Sequence, residues 1–80
     1  MKYAYPAIFE PAEEGGYNVK IPDIPGCYTC GDDMAESLEM AKDCIEMMLV
    51  HYEDEKKPIP PASDIKSIKT DFAVSYVLAD

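Results

Sequence analysis

No arginine occurs in these 80 residues, so the seven cationic side chains are all lysines. A nucleic-acid surface needs clustered Lys and Arg to neutralise phosphates, and that class of function is not expected here. No apolar run approaches the ~20 residues of a membrane span. The start, Met1-Lys2-Tyr3-Ala4-Tyr5-Pro6, has no apolar stretch ahead of a small-residue cleavage site, so a soluble, cytoplasmic protein is expected. The three cysteines, Cys27, Cys30 and Cys44, are odd in number and too few for a disulfide framework, which fits a reducing compartment. The single histidine, His51, has no Ser, Cys or acid placed with it as a triad.

What the chain has in excess is carboxylate. The net charge is −9, and it is unevenly spread. Glu10 to Glu55 holds 13 acids against two lysines, a net −11, while the two ends together carry +2. A one-sign acidic surface speeds encounter with a positive one, so a basic partner is the natural target.

One stretch organises the chain: Ile21-Pro22-Asp23-Ile24-Pro25-Gly26-Cys27-Tyr28-Thr29-Cys30-Gly31-Asp32-Asp33. Pro22 and Pro25 forbid helix and withhold backbone donors. Pro25-Gly26 predicts a type II turn with Gly26 at the positive-φ position. Gly31-Asp32-Asp33 turns the chain again and opens a helix. Upstream, Tyr3 to Phe9 alternates like a strand, and Pro6 places an edge or bulge within it. Pro11 to Gly16 is a hairpin connection, and Tyr17, Val19 and Ile21 share one side of a second strand. Cys27 to Cys30 is a short third strand. The helix stripe is Met34, Leu38, Ala41, Ile45, Met48 and Tyr52, with Glu36, Glu39, Asp43 and Glu46 outside it. Asp33 at N-cap with Glu36 three residues on makes an acidic capping box, and Pro58 stops the helix. An extended, polyproline-like connector leads to a last strand, Phe72 to Leu78. The order β-β-β-α-β is an α+β sandwich, a mostly antiparallel sheet with one helix on one face, folded as a single domain over residues 1–80.

Tyr5-Pro6-Ala7-Ile8-Phe9-Glu10, Glu14-Gly15-Gly16-Tyr17, Pro22-Asp23-Ile24-Pro25-Gly26-Cys27, Gly31-Asp32 and Pro58-Ile59-Pro60 together resemble the HicB antitoxin family over roughly residues 3 to 63. The resemblance implies a partial, degenerate ribonuclease-H-like fold. It also implies a type II toxin–antitoxin role, in which HicB binds HicA, a small basic ribonuclease that cleaves mRNA, and covers its catalytic histidine and RNA surface. Many family members continue into a C-terminal DNA-binding module; here the chain ends at Asp80, so DNA binding by this chain alone is not expected. A regulator subunit whose DNA-binding part lies elsewhere, and an orphan interaction module of the same fold, are the alternatives.

Ribonuclease-H chemistry holds two metal ions between carboxylates from several strands. The first and last strands here carry none inside their span, so no catalytic residue, metal or cofactor is assigned and an enzyme is not expected. Cys27 and Cys30, three apart on a strand, face opposite sides and are read as small apolar fillers. Tyr3, Tyr5, Tyr17 and Tyr28 are read as sheet-packing residues. Met34, Met40, Met47 and Met48 are read as core or seam, and His51 as a partly exposed residue near the helix end. The candidate partner-binding set is Glu10, Glu13, Glu14, Tyr17, Asp23, Tyr28, Asp32 and Asp33, carried on the turn residues Pro22, Pro25, Gly26 and Gly31. Each acid alone reads as a solvated turn or cap residue. As a group they form an acidic rim suited to the place where a basic ribonuclease holds RNA phosphates, testable by neutralising Glu13, Glu14 and Asp23 together. A small core and unpaired strand edges also predict at least a homodimer.

Overall fold

The computed structural model describes residues 3–79. Its elements are β1 (Tyr3–Pro11), β2 (Tyr17–Lys20), β3 (Tyr28–Gly31), α1 (Met34–Asp54), a 3-10 turn (Ile65–Ser67) and β4 (Ala73–Ala79). The four strands form one antiparallel sheet in the order β3-β2-β1-β4. The β-β-β-α-β α+β architecture read from the alternation is the one observed. The 3-10 turn is an addition to the order that alternation predicts, and β3 begins at Tyr28, so Cys27 lies in the turn before the strand and not on it.

Register sorts the side chains. Phe9 lies opposite Val19 and Ala73, and Tyr5 opposite Val77; Tyr5, Ala7, Phe9, Val19, Val77 and Ala79 are all buried against α1. The helix answers with Ser37, Ala41, Ile45 and Leu49 as its buried line, flanked by half-buried Met34, Leu38, Cys44, Met48 and Tyr52. The apolar stripe read from sequence therefore lacked Ser37 and Leu49. Ser37 is a polar residue at full burial, tolerated because its hydroxyl donates to the Asp33 carbonyl at 2.7 Å. Met40 and Met47 stay exposed, so only Met34 and Met48 act as core.

The other sheet face carries Ala4, Pro6 and Ile8 against Leu78, Tyr76 and Val74. Pro6 meets β4 on one side, while β2 pairs with β1 only from Ile8 onward, so the strand is an edge there, as its missing donor predicts. The connector from α1 to β4 crosses this face: Ile65 N–H donates to Tyr76 Oη at 2.8 Å.

Candidate functional site

The β1–β2 hairpin tip and the β3–α1 turn meet at one end of the sheet. Tyr17 is the Cα partner of both Pro11 and Gly31, which puts the two turns side by side. Their approach is close enough that a Cβ on Gly16 would fall 2.3 Å from the Gly31 carbonyl oxygen and 3.0 Å from the Asp32 Cα. Glu10, Glu13 and Glu14 come from the first turn and its strand, Asp32 and Asp33 from the second; all five are exposed.

The helix start adds a sixth acid. Asp33 caps α1 by accepting from Glu36 N–H at 2.8 Å. Glu36 Oε1 reaches back to Asp32 N–H at 2.9 Å, one residue before the position that a capping box normally serves. Both carboxylates favour the positive end of the helix dipole. Among the described residues, no hydrogen bond or ion pair holds the carboxylates of Glu10, Glu13, Glu14 or Asp32.

Asp23 sits apart, in the proline loop at the opposite end. That loop is two successive turns: Ile24 N–H donates to the Ile21 carbonyl and Cys27 N–H to the Ile24 carbonyl, each at 3.1 Å. Gly26 takes φ +78°, the conformation the Pro25-Gly26 type II turn requires. Ile21 N–H closes the loop on the Cys27 carbonyl at 3.1 Å. Within it, the Asp23 carboxylate grips Ser63, accepting from its N–H at 2.8 Å and its hydroxyl at 2.6 Å. Asp23 thus holds the connector to the proline loop and stands outside the acidic rim in which the sequence groups it. Beside it Tyr5 Oη donates to the Pro60 carbonyl at 2.6 Å, and burial, with Tyr3, Asp23 and Tyr52 nearby, pushes the Tyr5 hydroxyl pKa up.

The two tyrosines of the candidate set diverge. Tyr17 is half-buried on the helix side, its ring edge-on to Phe9 at 6.4 Å between centroids. Tyr28 is 63% exposed, which corrects its reading as a sheet-packing residue. It borders a groove of about 510 Å³ on the sheet face away from α1, between the sheet and the connector, with Ile8, Glu10, Lys20, Lys69 and Phe72. Glu10 there stands among lysines, so the groove has no single sign of charge.

Among the described residues no three His, Cys, Asp or Glu side chains converge to hold a metal ion. Cys27 is buried with its Sγ 3.0 Å from Cys44 Sγ, whereas Cys30 is exposed. Burial and the Cys44 contact push the Cys27 thiol from its ordinary 9.0 up to about 12. The stripe traced through Ala41, Ile45 and Met48 passes over Cys44, which lies three residues from Ala41 and four from Met48, and gives no sign of a partner on the proline loop. His51 is exposed near the helix end, 3.6 Å from Glu55 Oε2.

This arrangement has relatives. A family model described as the HicB-like antitoxin of bacterial toxin–antitoxin systems matches residues 5–77. The chain belongs to the HicB-like antitoxin family. Antitoxin HicB 1 of Photorhabdus laumondii is 48% identical over 58 residues, which are 70% of this chain and 37% of that protein. The HicB-like chain spans less than half the length of this relative and of antitoxin HicB of Escherichia coli K12, of which it covers 46% at 40% identity. In fold it superposes with a TM-score of 0.84 and 15% identity on the N-terminal domain of Burkholderia pseudomallei antitoxin HicB, covering 94% of this chain and 95% of that one. No helix among the described residues is long and apolar enough to cross a membrane.

Proposed function

We propose that this chain is the inhibitory half of a type II toxin–antitoxin pair, a non-enzymatic cytoplasmic protein that blocks a HicA-like, basic, mRNA-cleaving toxin. Family membership supplies the class of partner. The observation that carries the mechanism is the gathering of Glu10, Glu13, Glu14 and Asp32 at one sheet end, with carboxylates that no described residue hydrogen-bonds. Carboxylates already committed inside the fold have little to offer a partner; exposed ones at a rim steer a cationic surface and occupy the positions its RNA phosphates would take. Asp33 and Glu36 add to the same field while capping the helix. Tyr28, exposed at the far end of β3, supplies an aromatic contact of the kind enriched at interfaces.

Self-association is part of the same proposal. β4 is an outer strand of the sheet, and Ala73–Ala79 carries no charge and no proline, the usual guards of an exposed edge.

The test is association of the E10Q/E13Q/E14Q variant with a purified HicA-like toxin, followed by stopped-flow at several salt concentrations. Asp23 is left intact because its change would free the connector. The on-rate should fall about tenfold at low salt and lose most of its salt dependence. Unchanged kinetics remove the rim from the mechanism, and failure of the unaltered chain to bind or to rescue growth removes the toxin-blocking role.

A further inference from the structure

We propose that Cys27 and Cys44 are a redox modification site, closing reversibly to an intramolecular disulfide that ties the proline loop to α1. The observation is placement. Two of the chain's three cysteines, 17 positions apart, bring their sulfurs to 3.0 Å, so about 1 Å of further approach reaches the ~2.05 Å of a bond. Neither sulfur is there by accident of a loose segment. Cys27 is fixed by backbone bonds at both its N–H and its carbonyl, to Ile24 and Ile21. Cys44 stands on the inward side of α1 between the buried Ala41 and Ile45, and its thiol also faces the Tyr28 carbonyl at 3.9 Å.

The two thiols differ in a way that orders the chemistry. Cys44 is half-buried and reachable, whereas Cys27 is 1% exposed. A small-molecule disulfide of the glutathione class serves as the oxidant. The Cys44 thiol loses its proton and attacks one sulfur of that disulfide, forming a mixed disulfide and releasing the first glutathione as a thiol. Cys27 then loses its proton and attacks the Cys44 sulfur, forming the Cys27–Cys44 bond and releasing the second glutathione thiol. Two protein thiols are oxidised and one disulfide is reduced to two thiols. Because burial holds Cys27 protonated, the second step is the slow one and accelerates as pH rises. Exposed Cys30 is distant from this pair in chemistry: it has no sulfur partner among the described residues and takes up a mixed disulfide only.

The experiment treats the full chain with oxidised glutathione and reads thiols by maleimide tagging and intact mass. The C30S chain should lose two tags and two hydrogens with no glutathione gained, and the wild-type chain should in addition lose a third tag to one glutathione on Cys30. Their unfolding midpoint should rise on the order of 10 °C and fall back on addition of dithiothreitol. C44S should lose the bond and the shift while remaining folded, since its position is half-exposed; C27A is the second variant and should accumulate glutathione at Cys44. A chain that keeps both tags at Cys27 and Cys44, that stops at a stable glutathione adduct on Cys44, or that cross-links through Cys30 overturns the proposal. Toxin binding enters none of these readouts, so their outcome is separate from that of the inhibitory role.

Discussion

The two ends of α1 are built from the same few residue types and use them oppositely. At the N-terminal end side chains are spent on backbone groups. Asp33 takes Glu36 N–H, Glu36 takes Asp32 N–H, and Ser37 returns a hydroxyl to the Asp33 carbonyl. The C-terminal end closes through backbone alone: Lys56 N–H donates to the Glu53 carbonyl and Lys57 N–H to that of Tyr52, a Schellman arrangement with Lys56 at φ 56° where glycine is usual. Its charged side chains lie outside the cap, as an exposed cluster in which the Lys57 hydrogen bond, then His51 and the Lys57 charge, hold the Glu55 carboxyl below its usual range. The turn acids contrast in the same way: Glu13, Glu14 and Asp32 near the helix start face solvent, whereas Asp23, in the proline loop, is locked onto Ser63. A carboxylate in a turn is thus defined by whether a donor from a distant segment has been brought to it.

The packing of the N-terminal end gives the largest expected effect. A Cβ on Gly31 would stand 2.5 Å from both the Ser37 backbone N and its Oγ, and 2.7 Å from its Cα, with backbone on both sides of the contact. Gly31→Ala should cost about 3 kcal/mol or more, seen as a lowered urea midpoint at unchanged slope. If the loss is under about 1 kcal/mol, β3 and α1 are less tightly interlocked than the geometry requires.

Asp23 against Glu13 and Glu14 is the sharper version of the same contrast. Removing the Asp23 carboxylate orphans the Ser63 N–H and hydroxyl together, so Asp23→Ala should destabilise by about 2 kcal/mol. It should also speed hydrogen exchange in the connector around Ser63. The double change of Glu13 and Glu14 to Gln should leave stability within about 0.5 kcal/mol, because no folded contact depends on them. Equal losses in both variants would erase the distinction between committed and available acids.

That distinction is what the sequence could only half express. Strand alternation, the Pro25-Gly26 turn and the Asp33 cap are local patterns, written in residues a few positions apart, and they led directly to the observed element order. The Asp23–Ser63 pair spans 40 positions and the Cys27–Cys44 pair 17, and no periodicity reports on either. Ser37 escaped for another reason. A stripe traced through apolar residues passes over a serine, whose burial is licensed only by the carbonyl four residues before it. The acidic rim was legible as composition, but its assembly from two separate turns depends on the Tyr17 register with both Pro11 and Gly31.

The C-terminal end of α1 yields the smallest expected change, and one of opposite sign. Lys56 occupies the left-handed region, which costs a residue with a Cβ about 1 kcal/mol or more. Glycine removes that cost but gives the unfolded chain more freedom, so the two effects partly cancel. Lys56→Gly should therefore stabilise by up to about 1 kcal/mol, a few degrees in unfolding midpoint for a chain of this size. Lys56→Ala keeps the Cβ and should gain nothing, which separates backbone relief from loss of the lysine charge. If both variants gained equally, the exposed charge cluster, and not the left-handed turn, would be the source of strain at this end.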